Sequence, residues 1–201
     1  MQVNCASSIP PKFCTFCGCS LTYAGSAAAW VCAGCKEITY VGPKVLVLSL
    51  IFAEERILLM KRGVPPYVGT WVPPGGFVEL NESLEAAAAR ETAEEVGIVL
   101  EPGQLVPHAI VSLPAISQVY CSFLTVLDRM QVPKASAPEA LDARWFTEKD
   151  YPSAAMWVTA AGFDIAEIFE QARTGQFHFY HRTGESVRAF GPILRPHFEE
   201  A

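Results

Sequence analysis

The stretch Ser83-Leu-Glu-Ala-Ala-Ala-Ala-Arg90-Glu91-Thr92-Ala93-Glu94-Glu95-Val96-Gly97 decides how this chain is read. Four consecutive alanines and several Glu favour a helix over Ser83–Val96, with Asn81 or Ser83 as N-cap and Gly97 as a left-handed C-cap. At about 100° per residue, Glu91, Glu94 and Glu95 fall within one arc of about 100°, and Ala86, Ala89, Ala93 and Val96 fill an arc of about 80° on the other side. One face is therefore expected to pack on a sheet while the other presents three carboxylates. Such close charges repel one another unless a hard cation is bound between them, and carboxylate oxygens suit Mg²⁺ or Mn²⁺. A solvated acidic face is the blander reading of the same residues. Arg90 is either an i,i+4 partner of Glu94 or a group that holds a metal-binding carboxylate in place.

Ahead of this helix, Gly75 and Gly76 allow a backbone to approach a ligand closely. Further out, Val45–Phe52 reads as a strand apolar on both faces, residues 54–56 as its reversal, and Ile57–Met60 as its partner. Residues 63–76 are broken by Pro and Gly into a loop with a short extended piece at Thr70–Val72. More strands are expected at Val106–Ser112, Val119–Leu127 and Ala143–Phe146, the last after a polar connection, Asp128–Pro138. In the final helical segment Val158, Ala161, Ile165, Ile168 and Ala172 recur at spacings that fit a sheet-packing stripe. His178 and His181 are read as a tail after that helix, engaged in packing or a partner contact. This order predicts an α/β fold with a mixed sheet between helices.

Composition narrows the function classes. With 51% hydrophobic and 18% charged residues, the 201-residue chain belongs among compact globular proteins. Its 15 basic and 21 acidic residues give a formal charge of -6, which argues against duplex nucleic acid as a partner. The longest apolar stretch, Val45–Ala53, is far short of the roughly 20 residues that cross a bilayer, and Met1–Pro11 lack the pattern of a signal peptide. A cytoplasmic protein without membrane partners is expected.

Seven cysteines are an odd number, and four form the pairs Cys14-x-x-Cys17 and Cys32-x-x-Cys35, separated by fourteen residues. Two such knuckles can surround one tetrahedral Zn²⁺, with Cys19 as a poorer rival ligand. Four thiolates leave no open position, so the zinc would be structural, and the segment is too short to fold without a staple. A zinc ribbon is therefore expected at residues 12–42, with a larger domain at 43–201. Lys12 and Lys36 are the only basic residues before Pro43, so a brace or a homodimer contact suits the ribbon better than nucleic-acid binding.

From Gly76 through Glu82, Arg90, Glu91, Glu94, Glu95 and Gly97 to Ile98, the sequence resembles the Nudix hydrolases. Every fixed position of that signature is present, and Thr92 stands where an aliphatic residue is usual. The resemblance implies an α/β/α sandwich in which Glu91, Glu94, Glu95 and the Gly75 carbonyl hold catalytic divalent metal, with Glu82 and Arg90 as supports. The implied reaction is attack of water on a nucleoside-linked diphosphate. The chain is similar over nearly its whole length to the zinc-ribbon Nudix branch cleaving ADP-ribose and FAD, through Phe13-Cys-x-x-Cys-Gly18, Leu59-x-Lys61-Arg62, Gly69-x-Trp71-x-x-Pro74-x-Gly76-Phe77-x-Glu79, Gln118-x-Tyr120 and Gly175-x-Phe177-His178-Phe179-Tyr180. FAD or ADP-ribose would thus give AMP with FMN or ribose 5-phosphate. NADH and an RNA cap are the alternative substrates, and a nucleotide or metabolite sensor without catalysis is the rival class.

Glu79 and Glu139 are candidates for an additional metal ligand or the base that takes the water proton. Arg62 has the planar donors to meet two diphosphate oxygens, although Lys61 and Arg62 could equally be a wet strand end. Trp71, Phe77 and Tyr120 could stack a base, with Tyr120 and Trp71 as a ring sandwich and Gln118 beside Tyr120 as an amide; such aromatics are also ordinary core residues. Cys121, facing away from Tyr120, is expected in the core.

Overall fold

The structure is a computed structural model that describes residues 11–25, 29–152, 164–183 and 186–194. Two compact units divide it, one drawn from Met1–Lys44 with Leu113–Val119 and the other from Val45–Ser112 with Tyr120–Ala201.

In the first unit, β1 (Leu21–Tyr23), β2 (Ala29–Cys32) and β3 (Ile38–Tyr40) form an antiparallel sheet with β2 in the middle. Among the described residues its core cluster is Cys14, Leu21 and Cys32 with Trp30 packed against them. So little buried surface leaves the unit dependent on a crosslink. The turn of the first knuckle is closed by backbone hydrogen bonds, from the Gly18 N–H to the Cys14 carbonyl at 2.9 Å and from the Cys14 N–H to the Cys19 carbonyl at 2.8 Å.

The second unit is built on a sheet of eight strands. They are β4 (Lys44–Ala53), β5 (Arg56–Arg62), β6 (Trp71–Val72), β7 (Val106–Leu113), β8 (Gln118–Val126), β9 (Ala140–Thr147), β10 (Gln176–Thr183) and β11 (Ser186–Leu194). Their order is β11-β10-β7-β8-β4-β5-β6, with β9 also pairing β5. The sheet is mixed, since β10 runs parallel to β7 but antiparallel to β11. The continuous apolar runs of β4 and β5 mark strands covered on both faces: Leu50, Ile51, Phe52 and Ile57–Leu59 are sealed from solvent.

Helix α1 (Leu84–Val96) and helix α2 (Ile165–Thr174) cover opposite faces. Leu50 and Phe52 join Ile57, Leu59 and Ile168 and Phe169 of α2 in one core cluster, with Ile165 and Ala172 at its margin. Ser49, one residue out of phase, points the other way and bonds the Ala88 carbonyl of α1 at 3.3 Å. The result is an α/β/α sandwich.

Three expectations are corrected. The buried stripe of α1 is Ala87, Ala88, Thr92, Glu95 and Val96, while Ala93 is exposed and Ala86 and Ala89 are half-buried. Four alanines in a row give a helix no apolar bias of its own, so polar contacts made by Thr92 and Glu95 set its rotation. Secondly, His178 and His181 lie within β10, where the His178 N–H donates to Gln171 Oε1 at 2.9 Å. The histidines and Arg182 interrupt the apolar alternation that would have marked a strand. Thirdly, the strand expected at Ala143–Phe146 begins earlier, with β9 opening at Ala140. Val158 and Ala161 lie outside the described residues. Ser83 settles the N-cap, its Oγ accepting from the Ala86 N–H at 3.1 Å, and Gly97 closes the helix at φ 68°.

Between β7 and β8, His108 is buried and its Nδ1 lies 3.2 Å from Ser122 Oγ. Burial pushes its pKa down to about 3. The native imidazole is neutral while the unfolded one takes up a proton below about 6.5. Its contribution to stability is complete above that value and is lost as pH falls from there toward about 3. Denaturant unfolding at pH 7 and pH 5 should therefore show a steeper loss of stability in the parent protein than in His108→Asn.

Candidate functional site

Arg90 lies at the centre of the site. Its Nε and Nη2 donate to the two oxygens of Glu82 at 3.0 and 2.8 Å, and Nη2 also reaches the Phe77 carbonyl at 3.1 Å. Nη1 meets Glu91 Oε1 at 2.9 Å and Glu94 Oε2 at 3.1 Å. The paired Arg90 holds the Glu82 carboxyl down at about 2, with help from the Glu79 N–H. Glu82 in turn raises the Arg90 pKa, so the clamp stays charged. Arg90 is thus an i,i+4 partner of Glu94 and also bonds Glu91.

The glycines ahead of α1 are demanded by contact. A Cβ on Gly76 would lie 2.3 Å from the Glu91 carboxylate, and one on Gly75 would lie 2.1 Å from the Val47 carbonyl. Gly75 also has φ 157°, which side-chain-bearing residues rarely adopt. Residues 74–78 are held flat along β4: the Val47 N–H donates to the Gly76 carbonyl and the Ser49 N–H to the Pro74 carbonyl, both at 2.9 Å. The Gly75 N–H, freed from that ladder, donates to Glu95 Oε2 at 2.8 Å.

Glu95 is only 5% exposed. Burial pushes its pKa up to about 8 against the pull of the Gly75 N–H, and the charges of Glu91 and Glu139 add to the rise while Arg62 opposes it. Glu91 is raised too, again mainly by burial and despite Arg90. Crowded, partly desolvated carboxylates beside a glycine cradle that any Cβ would fill are a donor set suited to a hard divalent cation. Thr92, the departure from the signature, is fully buried, and its hydroxyl donates to the Ala88 carbonyl at 2.7 Å and lies 3.0 Å from Ser49 Oγ. Its polarity is therefore matched across the helix–sheet contact.

Of the two outlying carboxylates, Glu139 bears on the cluster, since its charge raises both Glu91 and Glu95. Glu79 is exposed, and its contact with the site is through its backbone N–H to Glu82. Arg62 ends β5 with its Nε bonded to the Pro66 carbonyl at 3.1 Å. Phe77 is 44% exposed beside the Arg90 clamp.

Trp71 is placed elsewhere. It pairs with Lys61, on the β5 face opposite Arg62, and packs against the α2-side core with Phe146 edge-on at 4.9 Å. Arg144 lies over its ring at 5.7 Å. Tyr120, on β8, is separated from β6 by β4 and β5, so roughly 14 Å of sheet lies between the two rings and the expected sandwich is not assembled. Tyr120 and Gln118 are half-buried on β8, and Cys121 is buried as expected. Two residues that sequence reasoning missed are Gly63 and Ser136, whose backbones bond Glu139 and Glu95. Gly63 carried no motif, and Ser136 acts only through its amide.

In the first unit, the Sγ atoms of Cys14, Cys17, Cys32 and Cys35 lie within 4.8 Å of one another. Separations of 3.7, 3.4 and 3.5 Å for Cys14–Cys35, Cys17–Cys32 and Cys17–Cys35 approach the edge of about 3.8 Å that a tetrahedron with zinc–sulfur bonds of about 2.3 Å requires. They are too long for disulfides. A backbone hydrogen bond from Cys19 lowers the Cys17 thiol to about 6, whereas Cys35, against the pull of a backbone hydrogen bond from Glu37, is pushed up to about 12 by desolvation and the neighbouring thiols. Cys19 itself is outside this group.

A model of the NUDIX domain family matches residues 42–164, and the chain belongs to that family. A crystal structure of a NUDIX hydrolase from Nitrosomonas europaea is similar over 86% of this chain and 99% of its own, with 34% identity and a TM-score of 0.71. Among curated relatives, an ADP-ribose pyrophosphatase of Methanocaldococcus jannaschii is 42% identical over 64 residues, 32% of this chain and 38% of that protein. An NAD-capped RNA hydrolase NudC of Salmonella heidelberg is 31% identical over 144 residues, 70% of this chain and 53% of that protein. The chain thus spans about half or less of the length of these curated relatives. Among the described residues, no helix is long and apolar enough to cross a membrane.

A cation entering between Glu91 and Glu95 must displace the proton that Glu95 retains up to about pH 8. Mn²⁺ affinity, followed by water-proton relaxation, should rise with pH by up to about tenfold per unit and level off above about 8. Equal affinities at pH 6 and pH 8.5 would contradict the geometry of Glu95.

Proposed function

We propose that this chain is a divalent-metal-dependent pyrophosphatase that hydrolyses the diphosphate of FAD or ADP-ribose to AMP plus FMN or ribose 5-phosphate. The observation that carries the reading is the convergence of Glu91, Glu94 and Glu95 on one side of α1, within the electrostatic reach of Glu139 and Arg62. A pure binder has no evident need of so many carboxylates around a phosphate-bearing ligand. The similarity to an ADP-ribose pyrophosphatase supports the substrate class. The longer match to an NAD-capped RNA hydrolase favours a second reading, in which the diphosphate of an NAD-type molecule is cleaved.

Glu91, Glu94, Glu95 and the Gly75 carbonyl would hold Mg²⁺ or Mn²⁺, which supplies charge neutralisation at the diphosphate and makes water a better nucleophile there. Arg62, oriented by the Pro66 carbonyl, turns its terminal nitrogens to the phosphate oxygens. Glu139 receives the proton of the attacking water, and the Arg90–Glu82 clamp holds Glu91 and the 77–82 loop in register. Phe77 and Tyr120 are the aromatic residues proposed to contact the base. The ribbon at 12–42 binds structural Zn²⁺, and the Nudix domain extends over 43–201. Reduced thiols of this kind fit a cytoplasmic protein.

Hydrolysis of FAD or ADP-ribose in ¹⁸O-labelled water with Mg²⁺ or Mn²⁺ should yield AMP and a second monophosphate with label in one phosphate, and no adenosine or pyrophosphate. Glu95→Gln should lower kcat by about 10²-fold or more with the fold retained. Unchanged substrate despite tight binding would favour a sensor instead.

Protein purified without added metal should contain zinc equimolar with chain, and Cys14→Ser should lose it and destabilise the ribbon. Elemental analysis without zinc would remove that assignment.

A further inference from the structure

We propose that Gly63 is a positioning residue for the carboxylate cluster and acts through Glu139. The inference rests on the reading of that cluster as a divalent-cation site. The Gly63 N–H donates to the Glu139 carbonyl at 2.7 Å. A Cβ at position 63 would lie 1.9 Å from the Pro138 carbonyl oxygen and 3.2 Å from Leu141 Cδ2. Only glycine lets the end of β5 come this close to the 134–139 segment. Gly63 is not in the left-handed region, so proximity rather than conformational freedom demands it.

The β5–β9 ladder is irregular at the same place. Lys61 faces Asp142 and Arg62 faces Ala140, which leaves Leu141 as an extra residue. Such a bulge bends its strand and re-aims neighbouring side chains. From the other end, the Ser136 N–H donates to the Glu95 carbonyl at 3.0 Å and the Lys134 N–H to the Val96 carbonyl at 2.8 Å. Those bonds satisfy carbonyls that the end of α1 would otherwise leave open. The Ala140 N–H then closes back on the Ser136 carbonyl at 2.9 Å. The segment is therefore pinned both to the helix carrying Glu91 and Glu95 and to the end of β5. Glu139 is itself the residue held at the β5 end.

The test is Gly63→Ala in the full chain, read by Mn²⁺ relaxation titration and by ADP-ribose turnover. Mn²⁺ affinity should fall about tenfold, and kcat about 10- to 100-fold with KM changed by less than about twofold. Glu139→Gln should cause a comparable loss, and adding Gly63→Ala to it should cost less than about twofold more, because both act on one carboxylate. Parental Mn²⁺ affinity and kcat in Gly63→Ala, or losses that multiply in the double variant, would overturn the proposal. Should Gly63→Ala not fold, Pro138→Gly slackens the same segment without adding an atom. It should weaken Mn²⁺ about threefold or more, and parental affinity there would likewise overturn the proposal. A parent protein that turns over neither ADP-ribose, FAD nor an NAD-type dinucleotide, with Mn²⁺ affinity still dependent on Gly63, sinks the pyrophosphatase reading and leaves the positioning role intact.

Discussion

The Arg90 guanidinium makes five hydrogen bonds, to Glu82, Glu91, Glu94 and the Phe77 carbonyl, and the site depends on that saturation. A guanidinium presents five N–H donors in a rigid plane, so each partner it accepts fixes the direction of the others. Glu82 belongs to the loop before α1, Phe77 to the segment along β4, and Glu91 and Glu94 to the helix itself. One planar group therefore sets the distance between a loop and a helix. An Arg90→Lys substitution would keep the charge but lose the fork, and with it the mutual orientation of the carboxylates.

Glu95 meets a different constraint. Its carboxylate is sealed under the sheet-facing side of α1 and accepts a hydrogen bond from the Gly75 amide, and burial makes its ionisation unfavourable until a positive charge arrives. Glu94 by contrast stays at the solvent edge, 57% exposed, and can reorient. The cluster thus combines one carboxylate fixed by burial, one fixed by Arg90 and one left adjustable. Rigid ligands favour a small range of coordination geometries, whereas an adjustable one tolerates changes in the bound phosphate.

Much of this was legible in the residues because they do local work. Ser83 and Gly97 bound α1 by capping chemistry that needs only near neighbours, and the Arg90 and Glu spacing follows from the helical repeat. The rotation of α1 was not legible, because Ala87 and Ala88 differ from Ala86 and Ala89 only through what Ser49 and Gly75 present across the sheet. Trp71 looked like a ligand-stacking ring, yet its pairing with Lys61 turns it to the α2 side, and that depends on register rather than composition. β10 escaped notice for a similar reason: His178, His181 and Arg182 blur its alternation, and its parallel partner β7 lies far away in sequence.

The flat run of residues 74–78 along β4 has an evolutionary corollary. Because the Gly76 and Pro74 carbonyls are tied to β4 amides, the cradle behaves as sheet and inherits the stiffness of the core. The segment at 64–70 is tied mainly to its own turn, with the Thr70 hydroxyl on the Tyr67 carbonyl at 2.7 Å and the Gly69 N–H on the Arg62 carbonyl at 2.8 Å. Surface loops of this kind accept substitution and insertion far more readily than a sheet does. Descendants of this chain could therefore exchange one nucleotide-linked partner for another by drift at 64–70, while the cradle and the chemistry it houses stay as they are.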